Sequence, residues 1–180
     1  MIIFLTKNNM RPLVCFTDGA AKSNSKTSSA GWAFYIPKLH YKSSGHMIGT
    51  NNQAELTAIF QLLKYLHSIK NKLFSNILIY SDSKYSIGVI TGETKYKINK
   101  ELIENIIELR NALGKKVGFK YVEAHTKKTD FVSEGNSVVD QLASEACNET
   151  NTKKIHELEL KIRNLEQKLQ EFEKHINDDL

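Results

Sequence analysis

Four carboxylates occupy positions from which they could share one site. Asp18 ends the apolar run LVCFTD, and Asp82 ends the apolar run ILIYSD. Glu55 lies in TNNQAEL, in the first turn of a predicted helix, and Asp140 lies in GNSVVDQLA, early in another. Carboxylates that lie close together repel one another, so they persist only if cations neutralise them or if one is protonated.

Divalent metal chemistry fits such a cluster. Hard oxygen ligands favour Mg²⁺ or Mn²⁺ over zinc. Two ions about 3.5–4 Å apart can hold the attacking and the leaving oxygens of an in-line phosphoryl displacement, and one of them lowers the pKa of the attacking water. Taken singly, each acid has an ordinary explanation. Asp18 could be a turn residue and Glu55 a helix-start acid, while Asp82 could be an N-cap and Asp140 part of a solvated helix face. The combination predicts a site that binds divalent metal and cuts nucleic acid.

The elements that must position these acids alternate between β and α periodicity. The predicted strands cover 13–17, 31–37, 39–49, 76–80 and 118–123. The predicted helices run from just after Asn52 to about Ile69, over a short segment ending near Gly88, over 100–113 and over 136–147. We therefore expect an α/β fold, a mixed five-stranded sheet flanked by helices. Asn51 and Asn52 are expected to cap the first helix, and Gly114 is expected to end the third.

The chain divides into three predicted parts. Residues 1–11 form a short N-terminal lead-in, 12–149 a catalytic domain and 150–180 a C-terminal helix. In this helix apolar residues alternate spacings of three and four, at Ile155, Leu158, Ile162, Leu165, Leu169, Phe172 and Ile176. Such an a/d repeat is the coiled-coil pattern, so we expect a homo-oligomer, with a dimer favoured, through residues 155–176. The alternative is a helix that folds back onto its own domain.

Composition indicates the class of partner. The formal net charge is +5, and the last thirty residues are close to neutral, so the globular part carries the excess. Excess positive charge suits nucleic acid or a membrane surface, although a generic basic surface is an alternative. Cys15 and Cys147 form neither a metal clip nor a disulfide framework, which favours a reducing compartment. No apolar run could span a bilayer, and MIIFLTKNNM lacks the features of a secretory signal, so we expect a soluble intracellular protein without a membrane partner.

Five motifs in order along residues 12–148 resemble those of the type 1 ribonucleases H. They are FTDGA at 16–20, TNNQAEL at 50–56, YSDSKY at 80–85, AH at 124–125 and GNSVVDQLA at 135–143. The resemblance implies an RNase H-like fold. It also implies an endoribonuclease that hydrolyses the RNA strand of RNA–DNA hybrids and leaves 5′-phosphate and 3′-hydroxyl ends.

The resemblance also assigns roles to the site residues. Asp18 would bridge two Mg²⁺ ions, with Mn²⁺ as an alternative metal. Asp140 would complete the site of the ion that holds the nucleophilic water, and Glu55 and Asp82 would complete the other. His125 would assist proton transfer or product release. A solvated side chain in a lysine-rich loop is the alternative for this histidine.

Substrate recognition follows from the same resemblance. An enzyme for hybrids must tell RNA from DNA, and the 2′-hydroxyl group is what distinguishes them. Asn51 and Asn52 would lie at the minor groove, with the Gly19 backbone close to the RNA. Asn24 and Thr50 would lie near a phosphate of the DNA strand, although Asn24 could equally be an ordinary loop residue.

Three features depart from many cellular members of the resembled family. The loop after Asp18 reads AKSNSKTSS, where many members have glycine and proline. The segment between Asp82 and His125 is short, lacks tryptophan and has no basic protrusion, so the chain looks more like the RNase H domains of retroviral polymerases. We also expect no separate hybrid-binding module in the N-terminal lead-in at 1–11. Lys127 and Lys128 would add unspecific attraction for phosphate.

Two further functions remain open at this point. One is another nuclease of the same fold, such as a resolvase or an integrase, although the TNNQAEL motif favours the hybrid-cutting branch. The other is a catalytically weak hybrid-binding scaffold whose coiled coil recruits partners. The presence of all four acids and of His125 argues against a loss of catalytic activity.

Overall fold

Five strands of the described residues form one mixed sheet flanked by helices. The computed structural model describes residues 12–69, 74, 76–114, 116–123, 129–148 and 161–166. The strands are β1 (Leu13–Ala21), β2 (Ser29–Ile36), β3 (Tyr41–Ile48), β4 (Asn76–Ser81) and β5 (Lys116–Tyr121). The helices are α1 (Asn51–Ser68), α2 (Lys84–Thr91), α3 (Lys100–Ala112) and α4 (Phe131–Asn148). The strand order is β3-β2-β1-β4-β5, which confirms the predicted α/β class and mixed sheet.

The middle strand of the sheet, β1, is buried on both faces. It runs antiparallel to β2 and parallel to β4, with Phe16 opposite Tyr80. Leu13 and Cys15 pack into the main core, to which α1 and α3 contribute. Phe16 packs on the opposite face with Val139 of α4. Burial on both faces explains why the sequence of this strand is continuously apolar rather than alternating.

Helix α1 begins with a capping box. The Thr50 hydroxyl accepts a hydrogen bond from the Gln53 N–H at 3.3 Å, and the Gln53 side chain accepts one from the Thr50 N–H at 2.9 Å. Thr50 is therefore the N-cap, and the predicted capping by Asn51 or Asn52 was wrong. The asparagines form the first helical turn because the reciprocal pair satisfies two backbone donors around Thr50.

Helix α4 begins five residues earlier than predicted. The Asp130 side chain accepts hydrogen bonds from the backbone N–H groups of Val132 and Ser133, and these bonds satisfy free donors of the first turn. Gly135, which precedes the predicted helix at 136–147, lies inside the observed helix. A Cβ at Gly135 would lie 2.7 Å from Phe16 Cδ2, so the glycine allows α4 to approach β1 closely. Asp140 consequently lies in the middle of its helix rather than near its start.

Other boundaries also differ from the prediction. β1 continues to Ala21 because it stays paired with β2, so Asp18 lies within the strand and not at its end. Asp82 directly follows β4, as predicted. α2 continues to Thr91 and ends at Gly92, whose φ of +85° is left-handed. Gly114, with φ +58°, follows the C-cap of α3, in agreement with its predicted role.

The chain forms two compact units, Met1–Asn148 and Glu149–Leu180. Of the second unit the structure describes residues 161–166, which are helical. The lead-in at 1–11 and most heptad positions lie outside the described residues, so the coiled coil and its oligomer remain predictions. Within the described part of the chain, no helix is long and apolar enough to cross a membrane.

Candidate active site

Three of the four predicted acids converge at one edge of the sheet. Asp18, Glu55 and Asp82 each offer a carboxylate oxygen, and these oxygens all lie within 4.8 Å of one another. They come from β1, α1 and the residue after β4, which are far apart in the sequence. The fold therefore gathers acidic side chains that no local sequence pattern brings together.

The parallel pairing of β1 and β4 sets Asp18 beside Asp82. Phe16 lies opposite Tyr80. Asp18 follows Phe16 by two residues within β1, and Asp82 follows Tyr80 by two residues, directly after β4. Residues two apart in a strand point to the same face, so the register carries both carboxylates to the same place. The carboxyl ends of parallel strands are also where sites collect in open α/β sheets.

Close contact between β1 and α1 places Glu55. A Cβ on Gly19 would lie 2.7 Å from the Glu55 Cα, so the helix backbone rests directly on the strand. Glu55 is only 4% exposed, and its Oε2 atom has no hydrogen-bond partner within the described protein. A buried carboxylate oxygen without a partner is costly unless a ligand satisfies it.

Asp140 approaches the other acids from α4, on the opposite face of the sheet from α1. Its side chain is half-buried. It does not belong to the group of oxygens within 4.8 Å, yet its charge raises the pKa values of both Asp18 and Asp82. The fourth acid therefore lies near the other three without sharing their closest cluster.

The acids raise one another's affinity for protons. Burial, followed by the charge of Asp82 and then that of Asp140, raises the pKa of Asp18 from 3.8 to about 8. The Gly19 N–H donates a hydrogen bond to Asp18 Oδ1 at 2.7 Å, and this bond lowers the pKa. Burial and the charges of Asp18 and Asp82 raise the pKa of Glu55 well above its usual value. Burial also raises the pKa of Asp82. The effects that lower these pKa values are hydrogen bonds rather than nearby basic side chains.

These properties fit a divalent cation. The ligand atoms are all carboxylate oxygens, which Mg²⁺ and Mn²⁺ favour. A cation would remove the repulsion that raises the pKa values, and it would satisfy the unpaired Oε2 of Glu55. Asp18, Glu55 and Asp82 are thus suited to hold a divalent metal ion.

The predicted substrate residues lie around this edge. Asn51 and Asn52 occupy the first turn of α1, one exposed and one half-buried. Thr50 borders a cavity of about 490 Å³ whose other walls include Lys26, before β2, and Lys100, at the start of α3. Asn24 is exposed in the loop between β1 and β2 and does not line that cavity, while His125, Lys127 and Lys128 lie outside the described residues.

Two described residues that could serve the site were missed by the sequence reasoning. Asn136 is 4% exposed and its side chain hydrogen-bonds to Asp82. Its spacing of four residues from Asp140 was the signal, because such residues share a helix face. Lys84, two residues after Asp82, holds its Nζ 4.6 Å from the centre of the Tyr121 ring. The signal for Lys84 was its position two residues after Asp82, a predicted metal ligand.

Comparison with known proteins identifies the family. The RNase H family model matches residues 10–148. The chain belongs to the RNase H family. Among curated proteins, the chain is 32% identical over 157 residues to ribonuclease H of Tropheryma whipplei (strain Twist), a match that covers 80% of this chain and 89% of that protein. The chain is therefore a ribonuclease H, as its motifs predicted.

Solved structures support the fold of this ribonuclease H. LC11-RNase H1 in complex with an RNA/DNA hybrid has a TM-score of 0.60 at 22% identity, over 76% of this chain and 97% of that one. The protease-reverse transcriptase of prototype foamy virus has a TM-score of 0.57 at 21% identity, over 74% of this chain and 20% of that one. At such identities the likeness concerns the fold, and it confirms the predicted RNase H-like architecture.

Proposed function

We propose that this ribonuclease H hydrolyses the RNA strand of RNA–DNA hybrids and leaves 5′-phosphate and 3′-hydroxyl ends. The observation that carries the proposal is the convergence of Asp18, Glu55 and Asp82 within 4.8 Å on an RNase H fold. The LC11 relative was solved with an RNA/DNA hybrid, which supports this class of substrate. The positive net charge of the chain also favours a polyanionic substrate.

The four acids are proposed to hold two Mg²⁺ or Mn²⁺ ions. Asp18 would be shared, with Glu55 and Asp82 completing one ion's ligands and Asp140 the other's. When bound, such ions activate the attacking water and stabilise the leaving oxygen. The chain itself fixes the Asp18 carboxylate through the Gly19 N–H, and it buries Glu55 so that few waters compete for its oxygens.

His125 is proposed to move a proton or to help release the product. This role comes from the position of the histidine in the motif order, shortly before α4. Replacing His125 with alanine should lower kcat while leaving hybrid binding nearly unchanged.

Selection for RNA is proposed to occur at the start of α1. Asn51 and Asn52 present amide groups three to four residues before Glu55, and an amide can both donate to a 2′-hydroxyl group and accept from it. The Gly19 backbone, directly after Asp18, is proposed to lie close to the RNA, because Gly19 lets the α1 backbone at Glu55 rest on β1 and so brings the start of α1 towards the acids. The enzyme would then recognise the ribose close to the phosphodiester bond that is cut.

The DNA strand is proposed to bind beside Thr50. The cavity that Thr50 borders also carries Lys26 and Lys100, whose charges would attract a backbone phosphate. Asn24, in the same loop as Lys26, is proposed to join this contact. A hybrid held there by its DNA strand could place its RNA strand over the acids.

Cleavage of labelled duplexes in Mg²⁺ tests the proposed function. Hybrid, RNA–RNA and DNA–DNA duplexes should be compared, and the RNA strand of the hybrid alone should be cut. Asp18→Asn should abolish cutting, whereas Glu145→Gln, which changes an exposed carboxylate of α4, should leave the rate within twofold. Hybrid binding without cutting in Mg²⁺ or Mn²⁺ would favour the scaffold alternative, and cutting of branched or plain DNA would favour another nuclease of this fold.

A further inference from the structure

Asn136 is a buried polar residue for which the proposed reaction has no role so far. It lies on α4 and is 4% exposed. Its amide oxygen, Oδ1, is buried and has no hydrogen-bond partner within the described protein. Buried amide oxygens are normally satisfied, so one without a partner calls for a ligand or a water.

The other end of the amide group contacts Asp82. A hydrogen bond joins the two side chains and favours the charged form of the Asp82 carboxylate. Because a charged carboxylate only accepts, the donor must be Nδ2 of Asn136. The unpaired Oδ1 shares a carbon atom with that nitrogen, so it lies close to the same carboxylate.

Packing of α4 fixes Asn136 in this position. Gly135 rests against the Phe16 ring, two residues before Asp18 on β1. Asn136 and Asp140 are four residues apart, so they share one face of the helix. A single close contact between helix and strand therefore sets the depth at which both side chains reach the acids.

We infer that Asn136 is a positioning residue of the metal site, which holds the Asp82 carboxylate through Nδ2 and a metal-bound water through Oδ1. Mg²⁺ and Mn²⁺ keep several waters when they are bound by few carboxylates, so such a water has a place beside Asp82. Groups that orient metal ligands in this way typically contribute roughly 10–100-fold to metal affinity or activity. The inference rests on the proposed function, because it assumes that Asp82 binds metal.

A purely structural role for Asn136 predicts the opposite pattern of effects. If the amide served mainly to hold α4 on the sheet, its loss would weaken the fold with or without metal. If it serves the metal, the metal-free protein loses little, because an apolar side chain of similar size removes a buried oxygen without a partner. The two roles are therefore separated by measuring stability and metal affinity on the same variants.

The experiment uses Mn²⁺ alone as the probe of the full chain. Binding isotherms are recorded by calorimetry for the unsubstituted protein, Asn136→Leu and Asn136→Ala, and melting is recorded in EDTA. Asn148→Leu is the matched control, because it makes the same change at an exposed position of the same helix. Steady-state cleavage of a hybrid gives kcat and KM for each variant.

We expect Asn136→Leu to lower Mn²⁺ affinity by roughly 10–100-fold while the metal-free melting temperature stays equal or rises. kcat should fall, recover in part at high Mn²⁺, and leave KM for the hybrid unchanged. If Asn136→Leu fails to fold, Asn136→Ala decides through the same affinity measurement.

Mn²⁺ affinity within twofold of the unsubstituted value in a folded variant would overturn the inference. A metal-free melting temperature that falls without any change in affinity would do the same. A chain that binds Mn²⁺ but cuts nothing would defeat the proposed function and still leave this affinity measurement decisive for Asn136.

Discussion

Gly19 and Glu55 lie in backbone contact. A Cβ on Gly19 would lie 2.7 Å from the Glu55 Cα, closer than real Cβ atoms approach other atoms. The obstructing atoms belong to the helix backbone, so no change of side-chain rotamer can make room. Because Gly19 directly follows Asp18, this contact fixes the distance between two of the acids.

Gly19→Ala is therefore expected to push α1 away from β1. The free energy of unfolding should fall by about 1–3 kcal/mol, as for other overpacked sites. Hybrid cleavage should fall by about 100-fold or more, because a displacement of about 1 Å in a catalytic group can have that effect. Denaturant unfolding and steady-state kinetics measure the two effects.

Gly118→Ala is the matched control for this substitution. Gly118 lies in β5, and a Cβ there would meet its nearest atom at 3.7 Å, an ordinary contact distance. It should leave both stability and rate nearly unchanged. Equal activity in Gly19→Ala and Gly118→Ala would show that the position of Glu55 does not depend on the glycine contact.

Much of this arrangement was predictable from the sequence, because long periodic segments and motif order carry strong signals. The continuous apolar run before Asp18 predicted a strand, and Asp82 was placed correctly after the strand predicted at 76–80. The helix that carries Glu55 was predicted nearly to its ends. These signals are local, so each element could be predicted without knowledge of its neighbours.

The errors arose where tertiary contacts override local signals. Gly135 looked like a loop residue, yet its contact with Phe16 places it inside α4. Pairing with β2 extends β1 past Asp18, where composition alone suggested a turn. Asn136 was missed because its significance depends on Asp82, which lies 54 residues away and on another element.

The raised pKa of Asp18 predicts an unusual pH dependence for the metal-free protein. Burial and the charges of Asp82 and Asp140 raise the pKa of Asp18 from 3.8 to about 8. Between these values the folded state holds a proton that the unfolded state has lost. The free energy of unfolding should therefore fall as pH rises from about 4 to about 8, and should then level off for this group.

Asp18→Asn should remove the contribution of Asp18 to this slope, leaving that of Glu55 and Asp82, and should stabilise the metal-free protein at pH 8. The gain should exceed about 1 kcal/mol, since each unit of difference between folded and unfolded pKa is worth about 1.4 kcal/mol. Unfolding in EDTA at pH 5 and pH 8 measures it, with Glu145→Gln as the control for loss of an exposed carboxylate. A variant that is less stable than its parent at pH 8 would contradict the electrostatic account.

Lys84 is expected to add a phosphate contact beside the acids. Lys84 follows Asp82 by two residues, and its ammonium group lies 4.6 Å from the centre of the Tyr121 ring, which is 46% exposed, so the contact orients the cation while it stays accessible. Lys84→Gln should weaken hybrid binding at low salt and reduce the slope of log affinity against log salt by about one. Titrations in an Asp18→Asn background measure binding without turnover.

Lys64→Gln is the matched control for Lys84→Gln. Lys64 is exposed on α1, nine residues after Glu55, or roughly 13 Å along the helix. It removes the same charge from the protein but should leave the salt slope unchanged. If both variants lowered the slope equally, the effect would belong to net charge and not to a contact at the site.

The last prediction is that this ribonuclease H acts as a dimer through residues 155–176. The a/d heptads favour self-association, and a domain without a basic protrusion is expected to bind weakly alone. Linking two modest sites can raise apparent affinity by about 10²–10⁴-fold when one long hybrid engages both. A chain ending at residue 149 should therefore be monomeric by light scattering and should keep its kcat. Its affinity should fall much more for long hybrids than for hybrids of about ten base pairs. Equal losses on both lengths would assign the tail a direct contact with nucleic acid, and a full-length chain of monomeric mass would refute the dimer.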